Sequence, residues 1–563
     1  MSLLSAIRQS AASLQVAQTG LQVVGNNIAN ASTPGYIRQE LLQSPTDSTR
    51  IGGLLLGSGV RATGIRQRFD AALLARMIEA GGRTANATQV ASNAGQLEIV
   101  LGELGDDDLS SKLSAFSSAW QDLAQQPASN PLRQLVLSSG KAVADELRRQ
   151  ASLGQEQLQR LDGQVVSIAS EINRLANGIA ALNQRIVDVE AGRTLQSDAG
   201  GLRDERWQLM EQLGRLVQID AREQPDGTVN ILVGGDILVT HHEARQVIAE
   251  PRDRSGFGQT IKFRSSDSPL QSNEGELAGI YRSREELVEP FLSGLAELAR
   301  ELAFAVNRVH AEGQGSVGFQ RLVAGQAVAP DVSIDQTELG SWIHHGSFDL
   351  LVLDGDQQLL RRATVNVNLL DPNAGTTLAG IAEQLDAIEG VQASVDSFGR
   401  LMIAAEPGRQ FAFAEDTSGL LAALGINVFF VGSDASTLSV APQLLSDPSL
   451  LAVSRGGVGA DFENLVRLVG VIDQPVPGRG DGLSLRERYE QFASWLTQQT
   501  SHATSVAEGQ QRFEDVLRGE FLASSSVNLD EETIRMLAYQ RTYQASAKVI
   551  STANELFDTL MQL

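Results

Sequence analysis

The chain contains no cysteine. Disulfides, iron–sulfur clusters, thiolate zinc sites and a cysteine nucleophile are therefore excluded. Aromatic residues make up only 5%, and there are six histidines, a lean inventory for catalysis. Positive charge is also short: 45 Lys plus Arg stand against 68 Asp plus Glu, a formal net charge of −23. That balance argues against nucleic acid as a partner, because phosphate binding relies on a basic surface. It equally disfavours docking on an anionic membrane. No long apolar run is present. The most apolar later stretch, 420–431, is broken by Gly425 and Asn427, far short of the roughly 18 residues of a spanning helix. The first twenty residues have one basic side chain, Arg8, no continuous apolar core and no small-residue cleavage site. No cleaved Sec-type signal peptide is expected. What remains is 563 residues with 42% hydrophobic content, enough for several folded domains at roughly 100–200 residues each.

Periodicity assigns the chain order. Residues 2–30 read as a helix with a heptad seam at Leu4, Ile7, Ala11, Leu14, Gln18, Leu21, Gly25 and Ile28. Thr33-Pro34-Gly35-Tyr36 reads as a type II turn, and 38–68 as irregular and partly extended. Residues 69–192, rich in Ala, Leu, Gln and Ser, predict long helices with breaks at 102–108 and 127–131. A shorter helix is expected at 202–216. Alternation between Pro225-Asp226-Gly227 and Gly234-Gly235-Asp236 predicts a β-meander over 217–263. Helix returns at 285–311. Strands are expected near 349–354, 364–369, 393–395, 401–405 and 410–413, and short helices at 378–388 and 420–424. From 461 the chain is helical apart from 475–481.

The expected fold class is α+β multidomain. The N- and C-terminal helices form a coiled-coil or helical-bundle rod, with β-rich and mixed α/β domains inserted in the middle. Residues 1–36 and 528–563 would be terminal coiled-coil assembly helices. Residues 37–216 and 440–527 would form the helical rod, 217–284 a β-rich subdomain, 285–339 a helix and loop continuing the rod, and 340–439 a mixed α/β outer domain.

The last helix has its own signals. Asn528 and Glu531 have capping-box spacing. One seam follows at Met536, Gln540, Tyr543, Ala547, Ile550, Asn554, Phe557 and Met561. A second runs through Val549, Ala553, Leu556, Leu560 and Leu563. Two adjacent seams are too wide an apolar face for a lone surface helix. Both chain ends thus expect a partner, with Ile7, Leu14, Leu21, Ile28, Tyr543, Ile550 and Phe557 as the assembly seam. Each end alone would be a marginal helix, so both ends are expected to be largely disordered in the free monomer.

Motifs with chemical precedent fail on context. Gly313-Gln314-Gly315-Ser316-Val317-Gly318 has glycine-rich spacing but follows a helix rather than a strand. Asp106-Asp107-Asp108 lacks calcium-loop spacing. His241-His242 and His344-His345 are adjacent pairs, not i, i+4 pairs. Arg479-Gly480-Asp481 reads as a turn before Ser484, whose spacing to Glu487 suits a capping box. No catalytic, cofactor or metal site is expected.

Asn26-Asn27-Ile28-Ala29-Asn30-Ala31-Ser32-Thr33-Pro34-Gly35-Tyr36 resembles the N-terminal signature of bacterial flagellar axial proteins, the rod, hook and hook-associated proteins. Ser526-Val527-Asn528-Leu529-Asp530-Glu531-Glu532 and the run from Tyr539 to Ile550 resemble their C-terminal signature. The family motif carries over to Asn27, Asn30, Thr33, Gly35, Tyr36, Asn528 and Leu529. In the middle, Leu202-Arg203-Asp204-Glu205-Arg206, Asn307-Arg308-Val309-His310-Ala311-Glu312-Gly313 and Leu421-Ala422-Ala423-Leu424-Gly425-Ile426-Asn427 resemble the junction members of that group. Gln314 departs from the acidic residue expected there.

The resemblance implies a non-enzymatic structural subunit joining hook to filament, exported to the flagellum without a cleaved signal peptide. It implies as partners further copies of itself in a helical ring, the hook subunit, a second hook-associated protein, and an export chaperone at the C-terminus. The alternatives are a hook or rod subunit, or a flagellum-associated hydrolase; the latter needs a carboxylate pair that no motif supplies.

Overall fold

The computed structural model describes residues 3–33, 36–51, 54–68, 70–102, 108–190, 196–197, 199–252, 258–337, 339–369, 375–476 and 481–562. In chain order, helix α1 (Leu3–Ala29) precedes strands β1 (Gln39–Pro45), β2 (Thr49–Ile51), β3 (Leu54–Leu56) and β4 (Val60–Gln67). Helices α2 (Ala71–Leu101), α3 (Leu109–Gln125) and the 61-residue α4 (Asn130–Glu190) follow. Then come β5 (Gln196–Ser197), α5 (Gly200–Leu216) and strands β6 (Asp220–Glu223), β7 (Val229–Val233), β8 (Asp236–Thr240), β9 (Glu243–Ala244), β10 (Val247–Pro251) and β11 (Gln259–Phe263). Helix α6 (Gly275–Ser283) passes through a π-helical turn into α7 (Glu289–Ala311). The next stretch holds β12 (Arg321–Val323), β13 (Gly346–Leu353), β14 (Leu359–Val367), α8 (Leu378–Asp386), β15 (Val391–Val395), β16 (Leu401–Ala405), β17 (Gln410–Ala414) and α9 (Leu420–Leu424). The chain closes with β18 (Phe430–Val431), β19 (Ser439–Val440), α10 (Pro442–Ser446), α11 (Glu463–Val469), α12 (Leu485–Ser525) and α13 (Leu529–Gln562).

The α+β class agrees with the sequence expectation. The chain divides into two compact units: Met1–Asn93, Gln159–Arg284 and Ser501–Leu563 form unit 1, and Ala94–Leu158 with Glu285–Thr500 form unit 2. Residues 285–339 and 340–439 both lie in unit 2. The two units differ in charge. Unit 1 carries 28 basic and 31 acidic residues, net −3; unit 2 carries 17 and 37, net −20.

In unit 1, β6-β7-β8-β9 form a meander and β10-β11 a hairpin. Gly234 and Gly235 have φ of 59° and 89°, the left-handed pair that a two-residue hairpin turn demands between β7 and β8. Asparagines on α4 then dock strand edges. Asn183 Nδ2 donates to Val229 O at 2.9 Å, and Asn183 Oδ1 accepts from Val229 N at 3.1 Å. Asn173 makes the same pair with Val247, at 2.8 and 2.9 Å. The 203–206 motif completes the joint. Arg203 pairs with Glu190 and Glu223, and Arg206 donates to Asn183 Oδ1 (2.8 Å) and Gly227 O (2.7 Å). Burial and then neighbouring Arg203 pull the Arg206 guanidinium down to about 10.

In unit 2, β14-β13-β17 and β12-β16-β15 are three-stranded sheets. They share a core with α8 and α9 that includes Phe348, Phe411 and Phe413. Phe116, Trp120, Phe429 and Phe430 form a second aromatic cluster, all at most 1% exposed. Beside it His310, wholly buried, has Nδ1 2.8 Å from Asn427 O while Nε2 accepts from Ala452 N at 3.1 Å. Burial holds this imidazole down at about 4, so it is a neutral structural histidine. The glycine-rich 313–318 segment is structural as well. A Cβ on Gly315 would lie 2.5 Å from Ser449 O, and one on Gly318 2.9 Å from Leu353 Cδ1. These glycines admit neighbouring chain, not phosphate.

A candidate assembly site at the paired chain ends

Within unit 1, α1 packs along α13. The free-monomer expectation is corrected here: both ends are helical and cover each other. The reason is the small-residue contact between them. On α1 the buried residues are Val16, Ala17, Gly20, Val23, Val24 and Asn27. On α13, Glu532, Ser546 and Ala553 are buried, and partly exposed Tyr539 continues the same seven-residue spacing. Gly20 serves close approach: a Cβ there would lie 2.6 Å from the Tyr539 ring. The phenol accepts from Gln43 Nε2 at 3.2 Å.

A polar cluster fixes the junction at the C-terminal end of α1. Asn27 is 0% exposed and makes four hydrogen bonds. Its Nδ2 donates to Gln39 O (2.9 Å) and Glu532 Oε2 (3.0 Å). Its Oδ1 accepts from Gln39 N (3.0 Å) and the Tyr36 hydroxyl (2.8 Å). The amide is fully used, which is what allows it to sit inside. Arg38 Nε donates to Glu532 Oε1 at 2.8 Å, and Nη1 to Glu531 Oε2 at 2.7 Å. Burial opposes the Arg38 charge, but its bonds to Glu531 and Glu532 outweigh that and raise its pKa. The bond to Arg38 lowers the Glu531 carboxyl.

The cluster continues into the rest of unit 1. Asp204 on α5, 6% exposed, accepts from Gln67 Nε2 at 2.6 Å and from the backbone N–H of Ile37. Burial pushes Asp204 up to about 6. Burial, then Asp204 and Glu532, push the Tyr36 phenol up to about 12.

The other motif residues have local tasks. Asn30 Nδ2 donates to Asn26 O at 3.0 Å, and Thr33 Oγ1 to Asn30 Oδ1 at 3.2 Å. Pro34 and Gly35 lie outside the described residues, so the expected turn does too. Asn528 caps α13 by accepting from Asp530 N (2.9 Å) and Glu531 N (3.3 Å). The expected capping box is half of one, because the Glu531 side chain is drawn to Arg38. The box at Ser484 and Glu487 is reciprocal. Asp108 caps α3 by accepting from Ser111 N; Asp106, Asp107, Arg479 and Gly480 lie outside the described residues.

The proposed seam residues flank the pairing face instead of filling it. Ile7, Leu14, Leu21 and Ile28 on α1 are partly exposed, as is Ile550 on α13. Tyr543 is 39% and Phe557 42% exposed. Leu529, Ile534, Leu537, Val549, Leu556, Leu560 and Met561 are also exposed. Tight pairing selects small residues, so the larger apolar residues are left along the flanks. Periodicity found an apolar face, but it could not identify Arg38, Gln39, Glu532 or the Gly20–Tyr539 contact. The available signal was the adjacency of Arg38 and Glu532 to the two terminal motifs.

Elsewhere in unit 1, a cleft of about 510 Å³ is lined by Leu74, Ile78, Trp207 and Met210, with Arg203 and Arg206 at its wall. Among the described residues no group of three or more His, Asp or Glu is placed to hold a metal ion, and no helix is long and apolar enough to cross a membrane.

Comparison with known proteins gives three family matches. Residues 94–321 match the flagellar hook-associated protein FlgK helical domain. Residues 7–36 match the flagella basal body rod protein family, and 518–563 the flagellar basal body rod FlgEFG protein C-terminal family. The structure of the flagellar hook junction protein FlgK from Burkholderia pseudomallei aligns with 79% of this chain and 99% of that one, at 14% identity and a TM-score of 0.49. Flagellar hook-associated protein 1 of Salmonella typhimurium is 24% identical over 581 residues, spanning 99% of this chain and 100% of that protein. The Escherichia coli K12 protein of the same name is 23% identical over the same shares. The Bacillus subtilis protein of that name is 26% identical over 54% of this chain and 67% of its own length. With family matches at both ends and in the helical middle, and relatives aligned from end to end, the chain is similar along its whole length to flagellar hook-associated protein 1.

Proposed function

We propose that this chain is a structural subunit of the bacterial flagellum that joins hook to filament by helical self-assembly of its terminal helices. The observation that carries the mechanism is the pairing of α1 with α13 through small residues, which leaves Tyr543, Val549, Leu556, Phe557, Leu560 and Met561 exposed on one helix. Such a face in a folded chain marks an interaction surface. A heterologous contact repeated without closure generates a helix or tube. Neighbouring copies would cover the seam at Ile7, Leu14, Leu21, Ile28, Tyr543, Ile550 and Phe557. The hook subunit would adjoin one end of this assembly, and a second hook-associated protein the other. Before assembly, an export chaperone would cover the α13 face, and the chain would leave the cell without a cleaved signal peptide. Its work would be mechanical, with no reaction catalysed.

Immunogold labelling of intact flagella tests this reading. A discrete band at the hook–filament boundary is expected, and a deletion strain should release filaments while keeping hooks. Label along the whole filament would contradict it.

A further inference from the structure

Unit 2 has an aromatic surface feature unconnected with the terminal helices. Phe291 on α7 lies 5.5 Å from Phe492 on α12, which stacks on Trp495 with ring centroids 6.0 Å apart and planes 26° from parallel. The series runs from wholly buried Phe291 outward to partly exposed Trp495. Gly294 exists to admit it, since a Cβ there would meet Phe492 at 2.6 Å. Two shallow clefts, of about 270 and 470 Å³, meet at Trp495.

The clefts have an acidic rim. Glu297 stands on the α7 side, and Glu487 and Glu490 on the α12 side, while buried Glu301 lies beneath them, paired with Arg488. The one cation among these described lining residues, Arg488, is held by Glu301 at 3.1 Å and Asp481 at 2.6 Å. A rigid indole ringed by carboxylates is a site for a cation, and a guanidinium stacks on such a face better than an ammonium.

The complementary chemistry lies in the same sequence. The first hundred residues contain eight arginines and no lysine. Arg61, Arg68 and Arg76 are exposed, and among the described residues none of the three forms an ion pair within 4 Å with a carboxylate.

We propose that the Trp495 surface docks arginine side chains from residues 61–76 of a second copy of this chain. The contact joins a strongly acidic unit to the basic N-terminal stretch of a nearly neutral one, so opposite charges select the partner face. It rests on the reading that copies assemble side by side, and adds a contact that uses none of the terminal seam residues.

Because the chain lacks cysteine, single cysteines test the contact directly. Cells would co-express full-length S494C with T63C, A72C or A75C, positions beside the contact groups, and isolated flagella would be oxidised with copper phenanthroline. At least one pair should give a disulfide-linked dimer about tenfold above S494C paired with S397C, the worth of one stacked guanidinium. High salt and W495A should abolish the excess, while W495F should retain it. Incorporated chains giving no excess dimer, or an excess indifferent to W495A, would overturn the contact alone. Absence of the chain from the flagella would overturn the assembly reading and this contact with it.

Discussion

Unit 2 buries its large aromatic clusters, whereas the last helix of unit 1 leaves a run of large apolar side chains exposed. The aromatic side chains of unit 2, from Phe116 and Trp120 to Phe429 and Phe430, are sealed by residues of the same unit. Among its buried polar groups, the Asn307 side chain accepts from Phe429 N (3.0 Å) and Phe430 N (2.8 Å) and donates to Phe430 O (2.8 Å). Unit 1 ends in a helix whose polar residues are locked at one end while Leu556, Leu560 and Met561 stay 51–78% exposed. The net charges follow the same line, −20 for unit 2 against −3 for unit 1. An acidic unit repels chance contacts; a nearly neutral one can pack against copies of itself. The exposed α13 face and the charge together distinguish the two units.

The contrast breaks most sharply at the seam. Ile550→Asp or Phe557→Asp should abolish incorporation into flagella, because a buried unpaired carboxylate costs several kcal/mol. Hydrogen exchange of unit 2 peptides in the same variants should be unchanged. Motile cells with normal filaments would reject the seam.

Next in size is the lock. Glu532→Ala strips Arg38 of its buried partner and Asn27 of an acceptor. We expect α1–α13 pairing to weaken by about 3 kcal/mol, the low end for breaking a buried pair, because Glu531 still reaches Arg38. Faster amide exchange in residues 16–27, with no change in unit 2, is the readout.

Acid should act on two buried groups, one in each unit, with opposite signs. His310 is held at about 4 against 6.5 in the unfolded chain, so the unfolded state takes the proton first. Its contribution to unit 2 is complete above pH 6.5 and falls by about 3 kcal/mol as pH drops to 4. Asp204 is raised from 3.8 to about 6, so the folded state takes its proton first. Its burial penalty is full above pH 6 and is relieved by about 2 kcal/mol as pH falls to 3.8. Asp204→Asn should remove this term from unit 1, and His310→Gln the other from unit 2. Exchange measured between pH 7 and pH 4 on peptides of each unit decides the signs.

The smallest effect is steric. Gly20→Ala gains about 1 kcal/mol of helix propensity but drives a methyl into the Tyr539 ring, and overpacking costs about 1–3 kcal/mol. A net loss of about 1 kcal/mol in pairing is expected. Adding Tyr539→Ala should remove most of the penalty, a coupling that a double-mutant cycle measures.

Local pattern made much of this architecture legible. The short apolar runs at 349–354 and 401–405 mark β13 and β16, and the Gly234-Gly235 turn falls where the sequence puts it. The breaks before Leu109 and Asn130 were visible as polar and proline-rich interruptions. What could not be read was pairing across long separations. Arg38 and Glu532 are 494 residues apart, and no periodicity links them. The contact inside one chain lies beside the expected seam for a physical reason. Large apolar residues such as Leu14 and Phe557 dominate any pattern, whereas the contact inside one chain uses Gly20, Ser546 and Ala553, which carry little hydrophobic signal. The Asn27 motif was recognisable as a motif, but its four hydrogen bonds were not.

The account stands on one claim, that the exposed face of α13 is covered on assembly while the β15–β16 turn of unit 2 is not. A single cysteine at Leu556, in a chain that otherwise has none, can be titrated with a maleimide in the purified monomer and in isolated flagella. Ser397→Cys, on the exposed β15–β16 turn, is the reference. The account predicts that both react in the monomer and that only Ser397→Cys reacts after assembly. Equal reaction of Leu556→Cys in the two states would contradict it.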